Sequence, residues 1–264
     1  GPPAGASPLV VAAGYDWHRP RRGGRRLGKA LLTGGLATDG LVLYSFLVPN
    51  FPLTGKPFYS GRTDGNRVAL TFDDGPRPPY TGQILDVLKK EGVTATFFVL
   101  GENARHHPDL VKRIEMEGHS VANHGMDHGI MMFAGGAQAL AQVEACDRTL
   151  RDAGVSEPAP LFRAPHGWLS PAAFRALTGR GYHVTGWSKG VWDTALPGVE
   201  AIISRTDEIL RPGRILLLHD GWGGTEGEDR SQTVAALSGI ISAVRSRGLQ
   251  FVTVEQMMKE EEAP

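Results

Sequence analysis

Two adjacent acids, Asp73 and Asp74, stand at the end of a short apolar run and are followed at once by Gly75 and Pro76. Asp-Gly-Pro is good turn chemistry, which accounts for one acid but gives no reason for a second directly before it. A division of labour accounts for both: one carboxylate holds a metal ion while its neighbour takes a proton from the attacking water. His124 and His128 are four residues apart, so one helical turn would put both imidazoles on the same side. Alone, that spacing is more often an ordinary surface pair. Joined to a carboxylate at a strand end, it becomes a His-His-carboxylate set that leaves positions open for water and substrate, as catalytic zinc sites require. Asp74 is the natural third ligand. Zinc is the first choice of metal, with cobalt, nickel or manganese as other divalent ions that such a set accommodates.

The remaining polar groups extend this chemistry. Arg163, permanently protonated, could hold Asp73 ionised and oriented, or form no more than a structural salt bridge. His219 closes the run Ile215-Leu216-Leu217-Leu218 and could protonate a departing amine; Asp193 could fix its tautomer and raise its pKa. Asp220 and Gly221 signal that a loop begins immediately, which argues against a histidine buried in the core.

The elements that must position these residues follow from periodicity. Strands are predicted at Arg67–Phe72, Ala95–Leu100, Ser120–Asn123, Leu161–Arg163, Tyr182–Trp187, Arg214–His219 and Leu249–Thr253. Helices between them are predicted around Tyr80–Glu91, from Pro108, around Ala137–Arg151, from Ser170-Pro171, around Val199–Leu210, and along Val234, Leu237, Ile241 and Val244. This alternation indicates an α/β fold, a distorted parallel (β/α) barrel of about seven strands, similar to a TIM barrel. Each reactive residue then falls at the C-terminal end of a strand, on the face where parallel barrels place their functional groups.

The 264 residues carry 28 basic and 28 acidic side chains, so no global field recruits nucleic acid, and the barrel region has no basic patch. Residues 1–60, with five Arg and two Lys against two Asp, are read as an N-terminal extension, and residues 61–264 as the catalytic domain. The arginines from Arg19 to Arg26 precede a moderately apolar stretch and suggest a signal-anchor. The preferred reading is an extension packed on the domain, because the longest clean run is far short of the ~20 residues of a spanning helix. Membrane association would come only through this segment. The single cysteine, Cys146, excludes an internal disulfide and a multi-cysteine zinc site, and shares a helix face with Leu140, Val143 and Leu150.

With these residues assembled, the sequence resembles the polysaccharide deacetylase family, also called the NodB-homology domain or carbohydrate esterase family four. Thr71-Phe72-Asp73-Asp74-Gly75, His124-Gly125-Met126-Asp127-His128, Arg163-Ala164-Pro165-His166-Gly167, Trp187 through Asp193, and Leu217-Leu218-His219 are similar to its five motifs in order. The likeness spans about residues 66–255. It implies metal-dependent removal of acetate from N-acetylglucosamine units in chitin, chito-oligosaccharides or peptidoglycan. It also implies Asp73 as base, Asp74, His124 and His128 as metal ligands, His219 as acid, and Arg163 orienting the base. Asp193 would assist Arg163 or His219. Leu217 would line the pocket for the acetyl methyl, the His166 backbone N–H would help hold the oxyanion, and Trp192 would offer a face to a sugar unless it packs in the core. Many members carry Tyr where this chain has His166, and Asp-Trp where it has Trp192-Asp193-Thr194. The resemblance further implies a monomer acting at the cell envelope, in the periplasm or outside the cell. Two alternatives remain open: a relative acting on a small amide, cyclic imide or N-formyl sugar, and an inactive glycan-binding protein. The latter predicts damage at a catalytic position, and none is visible.

Overall fold

The computed structural model describes residues 56–223 and 228–262. Its elements are β1 (Arg67–Asp73), α1 (Tyr80–Glu91), β2 (Thr96–Val99), α2 (Gly101–His106), α3 (Pro108–Met116), β3 (Ser120–Asn123), α4 (Gly136–Asp152), β4 (Leu161–Phe162), α5 (Pro171–Gly179), β5 (His183–Val184), β6 (Lys189–Gly190), α6 (Val199–Ile209), β7 (Ile215–His219), α7 (Ser231–Ser246), β8 (Gln250–Val252) and α8 (Val254–Glu262). All strand pairs are parallel, in the order β5-β4-β3-β2-β1-β7-β6, with β8 paired to the start of β1. The expected distorted parallel barrel is therefore present.

Closure comes from an element that the sequence pattern announces only in its first part, the strand expected at Tyr182–Trp187. The stretch from His183 to Gly190 pairs with β4 at one end and with β7 at the other, so one extended segment crosses the gap between the sheet's edges. Ser188-Lys189-Gly190 has neither the β-branched residues nor the alternation that marks a strand, and β6 forms because β7 offers it an open edge. Phe58 bridges to Thr185 and Ser60 to Arg214, which ties the chain before β1 to the same seam. The short helix α2 also goes unannounced: Gly101 opens it and it lasts six residues, too few to show a helical period. The membrane-anchor reading concerns residues outside those described; among the described residues no helix is long and apolar enough to cross a membrane.

Side-chain alternation divides the core in two. Val68, Leu70 and Phe72 on β1, Phe97 and Val99 on β2, and Leu216 and Leu218 on β7 pack with Leu85, Leu88, Ile240 and Ile241 of the surrounding helices. The opposite face of the same strands fills the barrel interior with Ala69, Phe98, Ala122, Leu161, Ile215 and Val252. Because the period is two, the next inward positions toward the C-terminal ends are Thr71 and Asp73 on β1, and Leu217 and His219 on β7. The same rule, continued past the ends of β3 and β4, aims His124 and Arg163 inward. Cys146 lies fully buried on α4 in the helix-side layer, and burial pushes its thiol pKa up, as expected of a structural cysteine.

The loop that follows β3 is held to α5 by Ser170. Its hydroxyl accepts from the Ala173 N–H (3.0 Å), capping α5, and donates to the Ala134 carbonyl (2.6 Å). Ser170→Ala should lower the unfolding free energy by about 1–2 kcal/mol, since it removes a helix cap and leaves a buried carbonyl unpaired. The midpoint of urea denaturation measures this, and an unchanged midpoint would refute the capping role.

Candidate active site

At the C-terminal mouth of the barrel, β1 brings up Asp73 and turns at Asp74. Strand alternation alone would point Asp74 away from the interior. A left-handed backbone at Asp74 (φ 73°) returns its carboxylate to the same cavity. Asp74 Oδ1 lies 3.2 Å from His124 Nε2 and 3.0 Å from His128 Nε2, and His128 is also left-handed (φ 57°). The imidazole rings of His124 and His128 are 5.4 Å apart between centroids.

The donor set fits a metal ion. His124 Nδ1 donates to the Arg163 carbonyl at 2.8 Å; a carbonyl only accepts, so in the neutral ring the proton sits on Nδ1 and Nε2 carries a lone pair. Asp74 Oδ1 is buried and, despite its two close nitrogens, has no hydrogen-bond partner of acceptable geometry. The ligand atoms of Asp74, His124 and His128 all lie within 4.8 Å of one another. Three donors converging on one point, with an orphaned buried oxygen among them, describe a site for a divalent cation. Burial raises the Asp74 pKa, but His124 and then His128 more than offset it and hold the carboxyl well below its usual range.

Asp73 occupies a different environment. Its Oδ1 accepts from Arg163 Nη1 at 2.6 Å, while Oδ2 stands 3.9 Å from His124 Nε2. Arg163 has no exposed surface. Its guanidinium also donates to Thr71 Oγ1 (2.8 Å) and to the Gly186 carbonyl (2.8 Å), and lies 3.9 Å above the Phe98 ring. Thr71 Oγ1 donates in turn to the Leu216 carbonyl at 2.7 Å, so the hydroxyl is fully used. Burial lowers the Arg163 pKa and the Asp73 carboxylate opposes the shift. The result is a rigid cation supplied to one oxygen of Asp73.

On the other side, His219 Nδ1 donates to Asp193 Oδ1 (2.9 Å). Asp193 Oδ2 accepts from the His219 backbone N–H and from Thr233 Oγ1, both at 2.9 Å. Asp193 thus serves His219, and Arg163 finds its carboxylate in Asp73. Burial works against the charged ring, but Asp193 outweighs it, and the His219 pKa rises to about 9.

The remaining candidates sort by position. Leu217 is buried on the interior face two residues before His219. His166, exposed and left-handed (φ 58°), sets its ring 4.4 Å from that of His128 and 5.6 Å from Trp168. Trp192 is 71% exposed beside Asp193, which removes the core-packing reading and leaves an indole face free at the rim. Pattern reading from the sequence missed Asn103, whose side chain ties two loops of this site together. No strand end or metal spacing marks it, and it sits on α2.

Comparison with known proteins identifies the family. Residues 60–185 match the family model described as polysaccharide deacetylase. The chain is 38% identical over 195 residues to a peptidoglycan-N-acetylglucosamine deacetylase of Bacillus cereus, covering 73% of this chain and 88% of that one. It is 39% identical over 199 residues to a chitooligosaccharide deacetylase of Sinorhizobium fredii, covering 74% and 93%. A solved peptidoglycan N-acetylglucosamine deacetylase in complex with a substituted N-oxidanyl-benzamide superposes with a TM-score of 0.71 at 32% identity, covering 75% of this chain and 91% of that one.

The electrostatics of His219 can be tested without turnover. Its pKa lies above the ordinary histidine value of 6.5, so the protonated ring contributes stability that is complete below about pH 6.5 and is lost as pH rises through about 9. Asp193→Asn removes the foremost of the anions responsible, ahead of Asp74 and Asp73. In the metal-free protein, the His219 ring resonance followed by NMR should titrate at a clearly lower pH than in the parent. An unmoved titration would show that Asp193 does not set this pKa.

Proposed function

The chain belongs to the polysaccharide deacetylase family, and from that premise we propose that it hydrolyses the acetamide of N-acetylglucosamine units in a chito-oligosaccharide or peptidoglycan strand, releasing acetate. The observation that carries this reading is the unlike surroundings of two adjacent acids: Arg163 on Asp73, and two imidazole nitrogens on Asp74. One carboxylate is held as a base and the other as a ligand, which is what amide hydrolysis by water needs.

Asp74, His124 and His128 would hold the divalent ion, zinc by the character of a two-imidazole, one-carboxylate set. Such an ion supplies Lewis acidity, polarising a carbonyl and making water acidic near neutral pH. The chain's own groups do the rest. Arg163 binds Oδ1 of Asp73 and orients the carboxylate, leaving Oδ2, on the His124 side, to accept the proton of the attacking water. His219, protonated up to about pH 9 and anchored by Asp193, gives its Nε2 proton to the amine as the C–N bond breaks. Water and amide are thereby converted to acetate and a free amino sugar. Leu217, at the inward position below His219, would bound the pocket for the acetyl methyl. The His166 backbone N–H would face the oxyanion, and Trp192 would stack on a sugar ring at the rim. Because such glycans lie outside the cytoplasm, this reading carries with it an action at the envelope or beyond the cell.

Asp73→Asn should lower acetate release from chito-oligosaccharides by about 10²–10⁴-fold while zinc content, measured by atomic absorption, stays at the parent level. Asp74→Asn should lose the zinc as well. Chelation should abolish activity and added zinc restore it. Full activity after complete metal removal would sink the scheme. Faster turnover of N-formyl sugars or cyclic imides than of any acetylated glycan in a parallel panel would reassign the substrate.

A further inference from the structure

Helix α2 lies where three catalytic loops meet. The Leu100 N–H before it donates to the Gly75 carbonyl (3.0 Å) of the loop carrying Asp74. Its first two N–H groups, on Gly101 and Glu102, donate to the Gly125 and Met126 carbonyls (both 2.9 Å), within the loop between His124 and His128. From its next position Asn103, 7% exposed, sends Nδ2 to the Asp74 carbonyl (2.7 Å) and to the Trp222 carbonyl (3.2 Å), three residues past His219. One side-chain amide therefore spends both N–H groups on backbone carbonyls of the two loops that face each other across the site.

The geometry there leaves little slack. A Cβ on Gly221 would fall 2.3 Å from the Asp74 carbonyl oxygen, and one on Gly75 would fall 2.0 Å from an Asp220 carboxylate oxygen. The Asp220 N–H also donates to the Asp73 carbonyl at 3.2 Å. The loops are packed backbone to backbone, and Asp74 sits between them in a left-handed conformation that an L-residue adopts only at a cost. A hydrogen bond to its own carbonyl opposes relaxation of that peptide, because rotation toward the extended region would break the bond and leave one N–H of Asn103 Nδ2 unsatisfied in the interior, the other remaining on the Trp222 carbonyl.

We propose that Asn103 is a positioning residue for the metal site: by holding the Asp74 carbonyl, it keeps the Asp74 carboxylate turned toward His124 and His128 and in register with the loop that bears His219. It touches neither ion nor substrate. The inference rests on the assignment of Asp74 as a ligand, and its test separates the two.

Asn103→Asp keeps the shape but replaces the donating amide with an oxygen; Asn103→Ala removes the group. Zinc affinity is measured by competition with a chromophoric chelator, and ligand geometry by the visible absorption of the cobalt-loaded protein. Both variants should fold, bind zinc about 10–100-fold more weakly, and show an altered cobalt spectrum at saturation. A zinc affinity within twofold of the parent would overturn the proposal, whatever the melting temperature. So would a parental cobalt spectrum, or failure of both variants to fold, since Asn103 would then be holding the barrel and not the ligand. If one variant fails to fold, the other decides. Loss of zinc binding in Asp74→Asn, measured alongside, tests the ligand assignment itself: an Asp74→Asn protein that binds zinc like the parent would remove the premise.

Discussion

A strand cannot present two consecutive side chains to the same face, and the site depends on how β1 escapes that rule. Asp73 is the last inward position of the strand and Asp74 should point outward. The chain turns left-handed at Asp74, and the second carboxylate swings back into the mouth of the barrel. Every other group then has a place to go: Arg163 to the first acid, His124 and His128 to the second, and His219 across from both. Without that turn the two carboxylates would be separated by the sheet, and neither a base beside a metal nor a metal beside a base would exist.

Buried charge is the second constraint, since an unpaired ion in the interior is expensive. The site answers with two separate pairs. Arg163 pairs with Asp73 at 2.6 Å, and Asp193 holds His219 as a cation; Asp74 is compensated by imidazoles and, when bound, by a divalent ion. Keeping the pairs separate matters chemically. If Asp193 had served Arg163, the base would have lost its partner and His219 would have titrated nearer to an ordinary histidine. The partition leaves one group ready to accept a proton and another ready to give one at the same pH, which is the arrangement that acid–base catalysis needs.

Much of this could be read from the sequence, for a physical reason. Residues at the ends of parallel strands share one face, so Asp73, His124, Arg163 and His219 could be placed together from strand positions alone. The cap at Ser170-Pro171 and the stop at Gly92 set their helices in the same direct way. What escaped are features created by tertiary contact. The strand β6 exists because β7 leaves an edge open; α2 is too short to show a period; and Asn103 acts through two carbonyls, which carry no sequence signature. The choice between Arg163 and His219 as the partner of Asp193 likewise depended on distances that no motif encodes.

Among the described residues, five non-glycine positions have left-handed backbones: Asp74, His128, His166, Trp192 and Leu196. The first two belong to the proposed ligand set, the third sets its ring against one of those ligands, and the fourth adjoins the carboxylate that anchors His219. Strain at about 1–3 kcal/mol per position is a substantial fraction of the net stability of a domain, so its concentration in one region is not incidental. A regular strand end would hold these residues more cheaply but would aim them along directions set by the pleat. The departures re-aim single side chains without moving the strands, and the close-packed barrel, with fully buried Phe72, Leu85 and Ile240 behind β1 and β7, is what keeps them from relaxing. Precision at the mouth is therefore a property of the whole barrel. That is why a buried amide on a six-residue helix outside the sheet can matter to the aim of a carboxylate it never touches.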